Sequence, residues 1–169
     1  IHGNNVNRRP PCNNPEVQCF LAGTLVSTEK GLKPIEEIKA GEKVWSYDHG
    51  SKSWKLSTVV TPLVNDYEGD LVTVAIPNEK IECTGGHPFW VVSGKDLAGR
   101  APPDHVSPDE AALLRISAGR WVNARDLVEG DVLLLRTGET LCVTGTHSHK
   151  AKLKVYNLTV ADVHNYAVG

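Results

Sequence analysis

The chain is divided by frequent glycine and proline residues into short runs rich in Val, Thr, Leu and Trp, and several of these runs alternate apolar and polar residues with a period of two. Such runs are typical of β-strands that bury one face. The pattern predicts strands at residues 24–27, 43–47, 55–64, 70–76, 80–83, 89–92, 131–136, 140–144 and 154–159. We therefore expect an all-β domain.

One segment carries a helix signal. Ser107, Pro108 and Glu110 form an N-terminal capping pattern, and alanines and leucines follow it. This predicts a short helix at 108–116, inside an insertion near 95–119 that connects two strands.

The chain also resembles itself at an offset of 89 residues. Residues 32–44 and 121–133 share a pattern of apolar and acidic positions around a glycine. Further on, residues 70–74 correspond to 156–160, and each copy leads to a histidine followed two residues later by an aromatic residue: His87 and Phe89, His164 and Tyr166. We expect two related halves about a pseudo-two-fold axis, with both histidines near its centre.

Composition narrows the class of protein. The chain has 169 residues, 40% of them hydrophobic and 22% charged, with a net charge of −2. This is the balance of an ordinary globular domain with one core. It gives no reason to expect a nucleic-acid partner, and no apolar run approaches the roughly 20 residues of a membrane helix. We expect a monomer that contacts neither nucleic acid nor membrane.

Residues 1–18 are rich in asparagine, arginine and proline, and we expect them to be a flexible flank of a domain at 19–169. Cys19 stands at this junction, so its thiol is next to the peptide bond from Gln18. A thiolate at that position can attack the preceding carbonyl carbon if a base or a strained bond assists it. The alternative is a buried structural cysteine.

A second candidate is the segment from Thr84 through Gly85 and Gly86 to His87. Two glycines let the backbone turn tightly, so that the threonine hydroxyl and the imidazole can reach one small volume. A histidine there can protonate a departing amide nitrogen, although many turn histidines are structural. A third candidate is the His164-Asn165 pair, which follows a predicted strand near the C-terminus.

Taken together, four segments resemble the successive signature motifs of the Hint superfamily, which contains inteins, hedgehog autoprocessing domains and bacterial intein-like domains. They are residues 19–24 (CFLAGT), 34–44 (PIEEIKAGEKV), 84–90 (TGGHPFW) and 155–166 (VYNLTVADVHNY). The chain is most similar to Hint domains that precede toxin modules in secreted bacterial precursors. The resemblance implies a horseshoe of curved strands and an autocatalytic reaction.

By this resemblance, Cys19 would attack the Gln18 carbonyl in an N-to-S acyl shift that forms a thioester. Thr84 and His87 would hold the scissile amide and protonate the departing nitrogen. Water or an external nucleophile would then release residues 1–18. By the same resemblance, the partners would be flanking domains of a secreted or surface precursor in bacteria. The residues themselves leave the cellular location unknown. Neither a cofactor nor a metal is implied.

The C-terminal part departs from the intein pattern. Inteins usually carry Asp where this chain has Asn157, and they end in a further His-Asn pair before Cys, Ser or Thr. His164-Asn165 is either the earlier pair, with the final block absent, or the terminal pair. In the second reading Asn165 cyclises while His164 polarises its carbonyl, and Tyr166 cannot accept an acyl group. That reading gives cleavage rather than splicing.

Several alternatives stay open at this point. Cys142, His147 and His149 could bind zinc, although residues 144–150 are more typical of a polar hairpin tip. Cys12 could form a disulfide with Cys19. The whole chain could be a degenerate Hint scaffold without catalysis. A hedgehog-like transfer to a sterol would need a C-terminal lipid-recruiting region.

Overall fold

The structure, a computed structural model, describes residues 2–4, 19–48, 50–51, 53–103, 119–135, 137–162 and 165–169. Within these ranges the regular elements are β1 (His2–Asn4), β2 (Leu25–Thr28), β3 (Gly31–Pro34), β4 (Lys43–Asp48), β5 (Ser53–Ile76), β6 (Glu79–Thr84), β7 (Pro88–Ser93), β8 (Arg120–Asn123), β9 (Val132–Leu134), β10 (Thr140–Cys142), β11 (Gly145–Val160) and β12 (Asn165–Ala167), with 3-10 turns at Ile35–Glu37, Leu97–Gly99 and Ala124–Asp126. The all-β prediction is confirmed. The helix predicted at 108–116 lies outside the described residues.

The strands form two antiparallel sheets. One has the order β10-β9-β7-β1-β12, with β8 paired to β7, and the other has the order β11-β5-β4-β2-β3, with β6 paired to β5. In the described ranges, no helix is long and apolar enough to cross a membrane.

The longest strand, β5, was predicted as two separate strands because polar residues interrupt its apolar pattern. Those residues face lysines of β11: Asp66 pairs with Lys154 and Glu68 with Lys152, at 3.1 and 2.9 Å. Cross-strand pairs of opposite charge let a polar ribbon continue as a sheet. The hairpin tip predicted at 144–150 is wrong for the same reason, since β11 begins at Gly145.

Part of the N-terminal flank is paired with the domain. Strand β1 lies between β7 and β12, where Gly3 is opposite both Phe89 and Tyr166. The flank was expected to be flexible throughout, whereas its described residues, 2–4, belong to a sheet.

The internal repeat is confirmed for residues 32–44 and 121–133. Strands β3 and β8 are 89 residues apart, and so are the 3-10 turns that follow them. Gly41 and Gly130 both have positive φ, +88° and +91°, and each donates its amide to a valine carbonyl at 2.8 Å. Only glycine adopts such a φ without strain, which explains why the repeat keeps it.

The second predicted match of the repeat is off by two residues. Val72 pairs with Cys83 as Tyr156 pairs with Phe20, so residues 70–74 correspond to 154–158 and not to 156–160.

The repeat also relates the turn from Leu21 to Thr24 to the turn from Thr84 to His87. The expected correspondence of His87 with His164 is wrong. The amide of Thr24 donates to Leu21 O at 3.3 Å, and that of His87 donates to Thr84 O at 3.0 Å. The carbonyls of Thr24 and His87 then accept from equivalent amides, those of Ile35 and Ala124. His87 therefore occupies the position of Thr24 in the other half, not that of His164.

The two halves meet at a short antiparallel bridge between Phe20 and Cys83. Leu21 donates its amide to Glu82 O at 3.3 Å, and Thr84 donates its amide to Cys19 O at 2.9 Å. These two bonds are equivalent under the repeat, so the bridge marks the pseudo-two-fold axis. Cys19 thus lies at the centre of the domain.

The beginning of the insertion is fixed to the second half by a buried ion pair. The Arg100 guanidinium donates to both carboxylate oxygens of Asp131 at 2.6 and 2.7 Å, and one of these oxygens also accepts the Val128 amide at 2.9 Å. The Asp131 side chain is fully buried. Bidentate pairs of this kind are strong and geometrically specific.

We expect Asp131→Ala to lower the free energy of unfolding by about 3–5 kcal/mol, because it leaves Arg100 and the Val128 amide without their acceptor. Asp66→Ala is the matched control, since its pair with Lys154 is largely exposed and should contribute about 0–1 kcal/mol. Urea unfolding of both variants measures the difference. Equal losses in the two variants would contradict the structural role of Asp131.

Candidate active site

Cys19 is held in place by the residue that follows it. The amide of Phe20 donates to Tyr156 O at 2.9 Å, and the amide of Tyr156 donates to Phe20 O at 2.8 Å. This reciprocal pair, together with the bridge to Cys83, fixes the start of the domain between β6 and β11. The backbone on the C-terminal side of Cys19 is therefore rigidly placed.

Thr84 contacts the amide nitrogen of Cys19. That nitrogen donates to Thr84 Oγ1 at 3.1 Å, while the Thr84 amide donates to Cys19 O at 2.9 Å. Both residues are fully buried. The Cys19 nitrogen is the atom that leaves if the preceding carbonyl is attacked, so Thr84 touches the leaving group.

His87 closes the turn that begins at Thr84 and is 2% exposed. The two glycines between them were expected to be needed for a tight turn. Neither Gly85 nor Gly86 has a positive φ, so the turn itself does not require glycine. A Cβ at Gly85 would lie 3.5 Å from Arg125 Cβ, an ordinary contact.

The imidazole of His87 packs between two aromatic rings. Its centroid is 4.1 Å from that of Phe20 and 5.4 Å from that of Phe89. The imidazole therefore packs on the ring of the residue that directly follows Cys19. The structure thus joins Cys19 to Thr84 by two hydrogen bonds and places His87 at the other end of the Thr84 turn. That the three side chains act on one peptide bond stays a prediction.

The Cys19 side chain belongs to a small apolar cluster with Tyr67, Leu71 and Val155. Burial raises the pKa of the Tyr67 phenol, and the charge of Asp70 and then that of Cys19 add to the shift. The Tyr67 hydroxyl donates to Asp70 O at 3.0 Å. The cluster therefore surrounds the sulfur with groups that stay neutral at ordinary pH.

Asn157, which stands where inteins usually have Asp, has a defined structural contact. Its Oδ1 accepts the Tyr166 hydroxyl at 2.7 Å and the Leu158 amide at 2.8 Å. Tyr166 is buried, which raises the pKa of its phenol well above the usual value, and charge on Cys19 adds to this. The neutral phenol is thus a permanent donor to Asn157.

Asn165 is bonded to the first half of the chain. Its side chain accepts the Tyr47 amide at 2.7 Å and donates to the Tyr47 carbonyl at 2.9 Å, while its own carbonyl accepts the Ser46 hydroxyl at 2.7 Å. The amide side chain therefore acts like an added strand residue against β4.

We expect Asn165→Ala to reduce the free energy of unfolding by about 2–5 kcal/mol, because two backbone groups of the partly buried Tyr47 lose their partners. Asn65→Ala, at a partly buried position of β5, is the control and should have a much smaller effect. Chemical denaturation of both variants tests this. A negligible change for Asn165→Ala would remove its structural role.

Sequence reasoning missed three residues that shape the site: Phe20, Tyr166 and Tyr47. The only signal for Phe20 and Tyr166 was their place beside predicted catalytic residues. An aromatic residue in a strand is ordinarily a core residue, and the local sequence does not identify the side chains that it contacts. For Tyr47 the contact uses backbone atoms, which carry no sequence signal.

The remaining candidates can be placed only in part. His147 and His149 stack on β11 with ring centroids 5.8 Å apart, and Cys142 is exposed. Among the described residues, no group of three or more His, Cys, Asp or Glu side chains is arranged to bind a metal. Gln18, His164 and Cys12 lie outside the described residues, so the proposed Cys12–Cys19 disulfide and the geometry of the scissile carbonyl stay predictions.

Comparison with known proteins gives matches at both the sequence and the fold level. The pretoxin HINT domain family matches residues 114–169. A bacterial intein-like domain from Clostridium thermocellum is 31% identical, with a TM-score of 0.70 over 90% of this chain and 94% of that one. The DnaX mini-intein of Spirulina platensis shares the fold at a TM-score of 0.62 and 15% identity, over 89% and 94% of the two chains.

Two curated relatives match over a smaller part of their length. An iron-sulfur cluster assembly SufBD family protein of Mycobacterium tuberculosis is 29% identical over 121 residues, which are 69% of this chain and 14% of that protein. The ribonucleoside-diphosphate reductase subunit beta of Aquifex aeolicus is 28% identical over 145 residues, or 83% and 20% of the two chains. The chain thus spans a small fraction of the length of these relatives.

Proposed function

Because this chain belongs to the Hint superfamily, among the bacterial intein-like domains, we propose that it cuts its own backbone between Gln18 and Cys19. The superfamily as a whole is one of autoprocessing domains. In this proposal residues 1–18 are the flank that is released, and residues 19–169 are the domain that performs the reaction.

The observation that carries the proposal is the hydrogen bond from the Cys19 amide to Thr84 Oγ1, 3.1 Å long. It joins the nitrogen that must leave to a residue of the turn that also contains His87. Peptide cleavage is limited by the poor leaving ability of an amide nitrogen, so a proton donor near that nitrogen is the group that the reaction most needs.

The reaction balances without an added reagent. The proton of the Cys19 thiol passes to the neutral imidazole of His87, and the thiolate attacks the Gln18 carbonyl carbon, so that a C–S bond forms. The C–N bond then breaks, and the nitrogen takes a proton from the imidazolium of His87, directly or through the Thr84 hydroxyl. The proton that the thiol lost thus ends on the new α-amine of Cys19, and the product is a thioester of Gln18.

Resolution of the thioester is expected to be slow. Cys19 is fully buried, so water or an external thiol reaches the thioester carbonyl carbon beside its sulfur only after local movement. Water would give a free Gln18 carboxylate, and an external thiol would give a new thioester. A small nucleophile should therefore act faster than a bulky one.

For the C-terminal pair we favour the reading in which His164 and Asn165 form the earlier motif. Cyclisation of Asn165 would require its side-chain nitrogen to leave the Tyr47 carbonyl, to which it donates at 2.9 Å, and to attack its own backbone. The bonds to β4 support a structural role instead. In this reading any cleavage at a C-terminal junction needs further residues of the precursor.

The match to the pretoxin HINT family supports a place within a larger toxin precursor. We propose that the partners are flanking domains of that precursor, which this domain separates. The domain needs no cofactor for the reaction proposed, since the nucleophile, the acid and the scissile bond belong to one chain.

A second candidate function is a scaffold that has lost catalysis. It is favoured by Asn157, whose oxygen accepts two hydrogen bonds and which cannot act as an acid or base at ordinary pH. The two candidates differ in one measurable property, which is whether a thioester forms at Cys19.

Treatment of the full chain with hydroxylamine, dithiothreitol or glutathione, followed by intact mass measurement, tests the proposal. We expect release of residues 1–18 with a Gln18 hydroxamate in hydroxylamine, and slower release in glutathione than in the smaller reagents. A chain that stays intact in all three reagents would favour the scaffold. Cleavage at a different bond would overturn the assignment of Cys19.

A further inference from the structure

We propose that Phe20 is a positioning residue for His87: its ring holds the imidazole at a fixed place relative to the Cys19 amide. This inference rests on the proposed cleavage at Cys19. It assigns a role in that reaction to a residue whose side chain takes no part in the chemistry.

The contact between the two rings is close and buried. The Phe20 and His87 centroids are 4.1 Å apart with an interplanar angle of 52°, and neither residue is more than 2% exposed. Tyr166 lies 6.1 Å from Phe20 in an edge-on arrangement. The Phe20 ring is therefore confined by Tyr166 as well as by the imidazole.

The backbone of Phe20 connects this ring to the reacting atoms. Its amide and carbonyl are both bonded to Tyr156, at 2.9 and 2.8 Å, so the residue cannot shift without breaking two buried hydrogen bonds. The nitrogen that leaves in the reaction belongs to Cys19, one residue upstream. The Phe20 ring thus transmits the position of the scissile bond to the imidazole through a short and rigid segment.

The backbone of His87 is also connected to the Cys19 amide, through Thr84. His87 donates its amide to Thr84 O at 3.0 Å, and Thr84 Oγ1 accepts the Cys19 amide. The imidazole is thereby located by its own turn and by Phe20 at once. Misplacement of a catalytic group by about 1 Å can reduce a rate about 100-fold, so a device that removes this freedom has a measurable effect.

Phe89 provides a natural comparison. It also contacts His87, edge-on at 5.4 Å, and it is equally buried in the same core. However, Phe89 belongs to β7 and pairs with Val122 of β8, so its ring has no short connection to Cys19. Removal of either ring takes a similar apolar contact from the core, but only the loss of Phe20 should uncouple the imidazole from the scissile amide.

The test compares Phe20→Leu with Phe89→Leu in the full chain, by the rate at which hydroxylamine releases residues 1–18. The hydroxylamine concentration is raised until the rate no longer increases, so that thioester formation and not its resolution limits release. We expect Phe20→Leu to slow release about 10- to 100-fold and Phe89→Leu to have a much smaller effect at a comparable drop in Tm. Phe20→Tyr, which keeps the ring, should restore most of the rate. Phe20→Met serves as a second variant without a ring if Phe20→Leu does not fold.

The outcomes separate the inference from the proposed function. Equal slowing by Phe20→Leu and Phe89→Leu, or a Phe20→Tyr rate as low as that of Phe20→Leu, would overturn the positioning role while leaving self-cleavage intact. An absence of release from the unmodified chain would overturn both. Slowing confined to the variants without a ring at position 20 supports the inference.

Discussion

Replacing Cys19 by alanine is expected to stop the release of residues 1–18, with a rate at least about 1000-fold below that of the unmodified chain. The reason is covalent. Without the sulfur no thioester can form, and hydroxylamine does not attack an ordinary amide at a comparable rate. The local fold should survive, because the Cys19 hydrogen bonds to Thr84 use backbone atoms of Cys19 and persist in the variant.

The other thiols of the described chain are suitable controls. Cys142 is exposed, and Cys142→Ala should cleave at the unmodified rate. Cys83 is buried beside Phe20, and its thiol donates to Val72 O at 3.9 Å. Burial raises the pKa of this thiol, so Cys83 is a poor nucleophile. Intact mass against time in hydroxylamine gives the release rates of the unmodified chain, Cys19→Ala and Cys142→Ala. Release that persists in Cys19→Ala would refute the thioester route.

Much of the fold could be predicted because its repeat is encoded by residues that are close together in the sequence. A glycine that adopts positive φ, an acidic residue after it and an apolar residue three positions before it are visible in any one copy. Side-chain bonds repeat too: the carboxylate of Glu42 accepts the Lys39 amide at 2.8 Å, and that of Asp131 accepts the Val128 amide at 2.9 Å. Turn chemistry of this kind depends on neighbouring residues alone.

The errors arise where a partner distant in sequence decides the structure. Residues 65–70 of β5 are too polar for a strand by themselves, and residues 144–150 of β11 are equally so. Each becomes regular because the other supplies the opposite charge, as Lys150 does for Asp70 at 2.9 Å. Pairing across a separation of 80 residues leaves no local trace, so the sequence predicts a loop where the chain forms one continuous ribbon.

In the candidate site, too, some residues could be predicted from the sequence, while others depend on partners distant in the chain. Cys19, Thr84 and His87 could be proposed because, although each residue type is common outside active sites, their order and spacing match the motifs of a known family. Phe20 and Tyr166 could not be assigned, since a buried aromatic residue in a strand has many possible neighbours. The correspondence of His87 with Thr24, in place of His164, also needed the backbone bonds of the two turns. Residue type alone pairs histidine with histidine.

Replacing His87 by glutamine is expected to slow thioester formation about 100- to 10,000-fold, which is the usual contribution of a positioned general acid. Glutamine is polar and similar in length, but it has no proton to give to a departing amine at ordinary pH. The thiol remains able to attack, so the tetrahedral adduct forms and returns to the amide more often than it proceeds. The variant should therefore differ from Cys19→Ala by a small residual rate.

Thr84→Val separates the acid from the hydrogen bond to the scissile amide. Valine matches threonine in shape but cannot accept the Cys19 amide hydrogen bond, so its rate should fall less than that of His87→Gln if the imidazole supplies the proton. His149→Ala, which removes an exposed histidine on β11, should leave the rate unchanged. Release measured at one pH and at a saturating hydroxylamine concentration, where thioester formation limits the rate, gives the comparison, with Tm recorded for every variant. If His87→Gln retained the unmodified rate while Thr84→Val lost it, the proton donor would have to be assigned to another group.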